Sequence, residues 1–186
     1  KYDNKIYISS NLIKGLILFY LGASYYHKFS GIFSEKEWDD LLYKKMAISY
    51  AVTDFCSLFI VSKMALSTII HHIVVVLFTT LIVIQDIKFG SILYSIILYG
   101  FFSSLAYLVN IYLATRFLCS PAVNKIICNC SYYTYILLCI INWSYQIQFI
   151  VRNISSNFYN ITLYTAALSF LVNDDIKLIR FLRKNR

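Results

Sequence analysis

Apolar residues fill this chain in long runs separated by short polar clusters, and the lengths of the runs set the expected elements. Residues 12–26 make a first run with one charge, Lys14, close enough to its start for the lysine stem to snorkel back to a headgroup layer. A polar connection, 27–45, follows. In it Ser34 and Glu37 have capping-box spacing and Phe33 and Trp38 have staple spacing, which predicts a helix beginning near Glu35 in the interface. The buried part of that helix is 46–62, with Asp54 near its middle. After a turn at Lys63, residues 64–84 form a run whose ionisable groups are His71 and His72. At about 1.5 Å per residue, a run of that length crosses a hydrocarbon core of roughly 30 Å.

Gln85, Asp86 and Lys88 interrupt the pattern, and residues 89–114 form a fourth span ending at Arg116. Ser120 and Pro121 read as an N-cap with proline at the first helical position, opening a short interfacial helix through Lys125. Residues 131–151 form a fifth span closed by Arg152, residues 154–172 a sixth, and 174–186 a basic polar tail. The expected fold is therefore all-α: one integral membrane domain, 1–186, of about six transmembrane helices.

Composition agrees with this layout and narrows the partners. The chain is 59% hydrophobic and has one proline and five glycines, with no low-complexity linker to divide it. A net charge of +8 is the kind of excess that nucleic-acid binders show, but here Lys and Arg sit in short connections and the tail. That placement fits anionic headgroups and the positive-inside rule, so membrane lipids are the expected partner and nucleic acid is not. Counting Lys and Arg by side puts both termini in the cytosol, largely through Lys177, Arg180, Arg183, Lys184 and Arg186. The tail interleaves these with Ile, Leu and Phe, so it is expected to lie on the cytosolic leaflet. The sequons at Asn153 and Asn160 then fall on the lumenal side, whereas a third at Asn129 faces the cytosol. Five cysteines at irregular spacing suggest no disulfide framework; palmitoylation near Cys119, Cys128 and Cys130 is the alternative to inert thiols.

The chemistry is expected between Tyr50 and Thr80. Asp54 and His72 each lie nine residues from Lys63, so on antiparallel helices they share a depth. Asp54 belongs to the stripe Tyr50, Thr53, Asp54, Ser57, and Thr68, His71, His72 and Thr79 make a comparable stripe on the next helix. Two further stripes, Ser95-Tyr99-Ser103-Tyr107-Asn110 and Thr162-Thr165-Ser169, complete an expected polar interior. Two readings stand side by side. In one, Asp54 orients a histidine, His71 or His72, that acts as general base or binds a headgroup, with Tyr50, Thr68, Ser103, Tyr107 and Asn110 lining the substrate site. In the other, an Asp54–His72 hydrogen bond only pins two helices, worth roughly 1 kcal/mol in a membrane. No metal is expected, because adjacent helical positions point about 100° apart and His27 is the one further histidine. Trp38, Trp143 and many tyrosines read as interfacial belt or bundle packing.

Tyr50-x-x-x-Asp54, followed by His71-His72 at the head of a Val, Leu and Thr run, resembles the TLC family of endoplasmic reticulum membrane proteins. That family takes in translocation-associated membrane proteins, ceramide synthases and smaller relatives implicated in membrane lipid composition. The likeness covers residues 35–184 and includes Asn173 near the end of the last helix. It implies a lipid-accessible cavity inside a helical bundle, with Asp54, His71 and His72 at the matching positions, and a part in lipid homeostasis. The acyl-transfer version implies acyl-CoA as co-substrate and no other cofactor; a homo-oligomer is also compatible with the family. The paired aspartates of ceramide synthases have no counterpart in 89–114, where Asn110 matches but Ser103 and Tyr107 stand at the acid and proline positions of smaller members.

Overall fold

The computed structural model describes residues 2–25, 28, 31–155 and 157–186; His27 lies outside them, as does the end of the first expected span at Tyr26. Seven α-helices follow one another among these residues: α1 Tyr2–Tyr25, α2 Asp40–Ile60, α3 Leu66–Ile84, α4 Ile92–Ser104, α5 Tyr107–Thr115, α6 Pro121–Asn153 and α7 Phe158–Asn185. Short 3-10 helices, Gly31–Phe33 and Glu35–Glu37, bridge α1 and α2.

Three of the helices are long and apolar enough to cross a membrane: Lys5–Ser24 of α1, all of α3 and all of α6. A fourth crossing exists if α4 and α5, bent by 43° across Leu105 and Ala106, count as one span. Lys44, Lys45 and Asp54 keep α2 out of this set by composition, and α7 ends in a polar half. Large apolar side chains cover the outside of the bundle, with Phe59 75%, Leu163 72% and Leu66 71% exposed. Such a surface is compatible with membrane insertion.

Several boundaries depart from the expected ones. The Ser34–Glu37 box starts only the short 3-10 helix Glu35–Glu37, without a side-chain cap from Ser34, and the α-helix α2 opens later at Asp40, where Asp39 accepts the Leu42 amide at 3.0 Å. Trp38 is held in extended backbone, its ring stacked 4.2 Å from Tyr43, so the chain cannot become helical until after it. The separate interfacial helix ending near Lys125 is absent too, because α6 runs unbroken for 33 residues, about 50 Å. Its polar stretch is satisfied inside the bundle: Ser131 donates to the Leu108 carbonyl at 2.9 Å, and Cys128 is buried against Leu182.

The tail does not lie apart as a surface strap. The α7 helix continues through it, burying Leu182 fully and placing Phe181 against the Arg116 guanidinium, which Tyr7 and Phe117 also face. On α7 the buried residues are Ile161, Tyr164, Leu168, Leu171 and Asp175. Thr162, Thr165 and Ser169 point outward instead, each hydroxyl bonded to a carbonyl three or four residues earlier. A hydroxyl so bonded carries no unmet donor into an apolar surrounding, which lets the aliphatic face take the core.

Candidate functional site

The site is built where α1, α2, α3 and α7 meet. Asp54 is fully buried on α2, and His72 Nδ1 approaches its Oδ1 to 3.0 Å from α3. The equal distances from the turn are thus realised as contact. The imidazole lies close enough to support the carboxylate, yet His72 Nδ1 and Asp54 Oδ2 make no hydrogen bond of ordinary geometry.

Lys14 supplies the charge that Asp54 needs. Its ammonium pairs with Asp54 Oδ1 and lies 5.9 Å from the centre of the Tyr50 ring. The expected escape of Lys14 to the headgroups is therefore wrong. Because α1 begins at Tyr2, Lys14 falls mid-helix at the depth of Asp54, and a buried carboxylate holds it more strongly than a distant interface. One turn further on, Ser57 and Ser10 join the same helices at 3.1 Å.

His71 leans the other way, toward α7. Its Nδ1 lies 3.6 Å from Asp174 Oδ2, beyond hydrogen-bond length, and Thr68 donates to Asp174 Oδ1 at 3.3 Å. The two imidazoles stand edge to face, ring centres 5.7 Å apart. Although their Cβ atoms diverge, one ligand atom from each of Asp54, His71 and His72 lies within 4.8 Å of the other two. The divergence used above to exclude a metal does not keep one ligand atom of each residue from converging.

Asp174 and Asp175 were placed in the polar tail, yet they are interior. Asp175 accepts Tyr99 OH at 2.6 Å, Tyr135 OH at 2.7 Å and Trp143 Nε1 at 3.3 Å, which ties α4, α6 and α7 together. Trp143, half-buried, thereby takes the bundle-packing arm of its expected belt-or-packing role. Above it, Gln146 accepts from Ser95 Oγ at 2.5 Å and Tyr164 OH at 2.6 Å, and donates to the Ser95 carbonyl at 3.1 Å. The signal was present in the sequence: Asp175 continues the buried i, i+3, i+7 register of Leu168 and Leu171.

The α4–α5 bend divides the long stripe of 95–110. Ser95 and Tyr99 face α6 and α7, Ser103 sits beside the Tyr50 hydroxyl, and Tyr107 packs edge-on against Phe19 of α1 at 5.1 Å. Asn110 lies where α5 crosses Gly15 of α1, so closely that a Cβ on Gly15 would meet Ile111 at 3.0 Å. Tyr50 and Thr68 are at the centre, as expected, whereas Tyr107 and Asn110 belong to the α1–α5 contact.

Beside the centre is a narrow apolar cavity of about 40 Å³, lined by Met46, Tyr50, Val75, Phe78, Tyr99 and Gly100 among others. Tyr50 is one turn from Asp54 and Val75 nearly one turn from His72, so the cavity begins where the polar centre ends. A Cβ on Gly100 would meet nothing within 4 Å. No family model, curated protein or solved structure matches this chain.

Proposed function

We propose that this chain is a TLC-like endomembrane protein that holds a membrane lipid, its apolar part in the cavity between α2, α3 and α4 and its polar end at Asp54, His71 and His72. The observation that carries the reading is an apolar slot whose walls include Tyr50 and Val75, about one helical turn from Asp54 and His72, beside a buried cluster whose Asp54 Oδ2, His71 Nδ1 and His72 Nδ1 have no hydrogen-bond partner. Buried polar atoms of this kind cost about 1–3 kcal/mol each until something pairs with them, and a headgroup carbonyl, hydroxyl or phosphate does so. Lys14 adds a cation suited to a phosphate oxygen. The slot is narrow, so a chain enters by displacing flexible wall side chains, Met46 first.

On this reading the protein serves lipid homeostasis in the endoplasmic reticulum. Six crossings follow if α4 and α5 form one bent span and α2 and α7 cross beside the three apolar helices, which leaves both termini cytosolic. A C-terminal tag protected from protease in intact vesicles rejects that orientation. The lipid itself is tested by purifying wild type and Gly100→Phe with bound lipids and quantifying the extract by mass spectrometry. A stoichiometric lipid class in wild type, reduced at least tenfold in the variant, is expected; equal retention rejects the cavity.

A second reading is acyl-CoA-dependent N-acylation, and the 3.0 Å approach of His72 to Asp54 favours it, since a carboxylate there orients an imidazole as general base. Lipidomics on cells expressing wild type, His71→Ala or His72→Ala separates it from a non-enzymatic lipid sensor or trafficking partner. A lipid change that survives both substitutions in folded protein rules out catalysis by the histidines.

A further inference from the structure

We infer that Asp54, His71 and His72 bind a divalent transition metal ion, zinc being the best match, at the polar end of the cavity. The inference deepens the lipid-site reading and rests on it for the metal's role, though not for its binding.

Three independent observations point to the ion. The first is convergence. Three donor atoms mutually within 4.8 Å lie at most about 2.8 Å from a common point, and side-chain rotations that draw each in by about 0.7 Å give zinc–nitrogen and zinc–oxygen lengths. The second is unmet hydrogen-bonding capacity. Asp54 Oδ2, His71 Nδ1 and His72 Nδ1 are buried without hydrogen-bond partners, while Lys14 occupies the other oxygen of Asp54. Each of the three residues that converge thus carries a buried polar atom without a hydrogen-bond partner. The third is charge. Lys14 is the cation facing His71, against Asp54, Asp174 and Asp175, so with neutral imidazoles the interior holds two negative charges more than positive. A dication balances them, which a second lysine or a proton on one histidine does only in part.

Two imidazoles and one carboxylate suit zinc, cobalt or iron over magnesium or calcium, which prefer all-oxygen shells. Asp174, which accepts from Thr68, lies 3.6 Å from His71 Nδ1, so it orients His71 with Nε2 as the nitrogen turned toward the ion. Three protein ligands leave a fourth position, and the neighbouring cavity delivers a lipid carbonyl or phosphoryl oxygen to it. The metal then acts as Lewis acid on that oxygen.

The test uses the full chain in detergent, stripped with EDTA, dialysed and titrated with Co²⁺ while visible d–d absorption and bound metal are followed. One equivalent with the intense bands of a four-coordinate site is expected in wild type, weakened at least tenfold in His71→Ala, His72→Ala and Asp54→Ala, and unchanged in Thr162→Ala on the outer face of α7. Gel filtration and circular dichroism establish which variants are folded, and Lys14→Met, although less stable, is expected to tighten Co²⁺ binding because an ammonium next to the ion is gone. Absence of bands in folded wild type, undiminished uptake in the histidine variants, or loss of binding in folded Lys14→Met each overturns the site. Lipid measured on the same preparations keeps the two ideas apart. Lipid without metal sinks the metal site alone, and metal without lipid sinks the lipid reading alone.

Discussion

Lys14 and Asp54, 40 residues apart in sequence, form an ion pair in the interior of the bundle, with the carboxylate fully buried and the ammonium side chain 15% exposed. The pair joins α1 to α2 and sets the charge of everything around His71 and His72.

Removing either partner leaves the other uncompensated. Lys14→Met and Asp54→Asn are each expected to lower stability by about 3–5 kcal/mol, whereas the double variant recovers most of the loss. Thermal unfolding of the four proteins in one detergent completes the cycle. A double variant as unstable as the sum of the singles refutes the coupling.

Asp175→Asn has a different logic. The carboxylate accepts from two tyrosines and a tryptophan, and an amide puts a donor against one of those donors. A loss of about 2–4 kcal/mol is expected, exceeding that of Asp174→Asn, whose hydrogen bond is a single long one from Thr68. Melting temperatures of the two variants side by side decide it.

Gly100→Ala is expected to be neutral or stabilising by up to about 1 kcal/mol, because its Cβ enters open space and alanine favours the helix. A drop in melting temperature shows that the space beside Gly100 is filled.

Thiol chemistry checks the helix faces. Cys56 and Cys130 are exposed, while Cys128 and Cys139 are buried. N-ethylmaleimide is expected to label the first pair at least tenfold faster than the second in folded protein, and all of them after denaturation. Equal rates contradict the packing of α6.

Legibility followed the range of the interaction. The nine-residue symmetry of Asp54 and His72 about Lys63 needed only helical rise and a tight turn, and the 3.0 Å contact realises it. Asp174 and Asp175 were misplaced because two acids after an apolar run resemble a helix end; their hydrogen-bond partners on α3, α4 and α6 come from distant sequence. Lys14 was misread likewise, since snorkelling is a local rule and its partner is on another helix.

The sequence by itself determined the helical, lipid-compatible character of the chain and the pairing of α2 with α3, because apolar run length and 3.6-residue periodicity are local properties. Tertiary structure decided which polar groups meet: Lys14 with Asp54, His71 with Asp174, and Asp54 with both histidines. The reason is physical. A buried polar group takes its stability from the partner that packing brings to it, and which helix supplies that partner is set by how the helices cross.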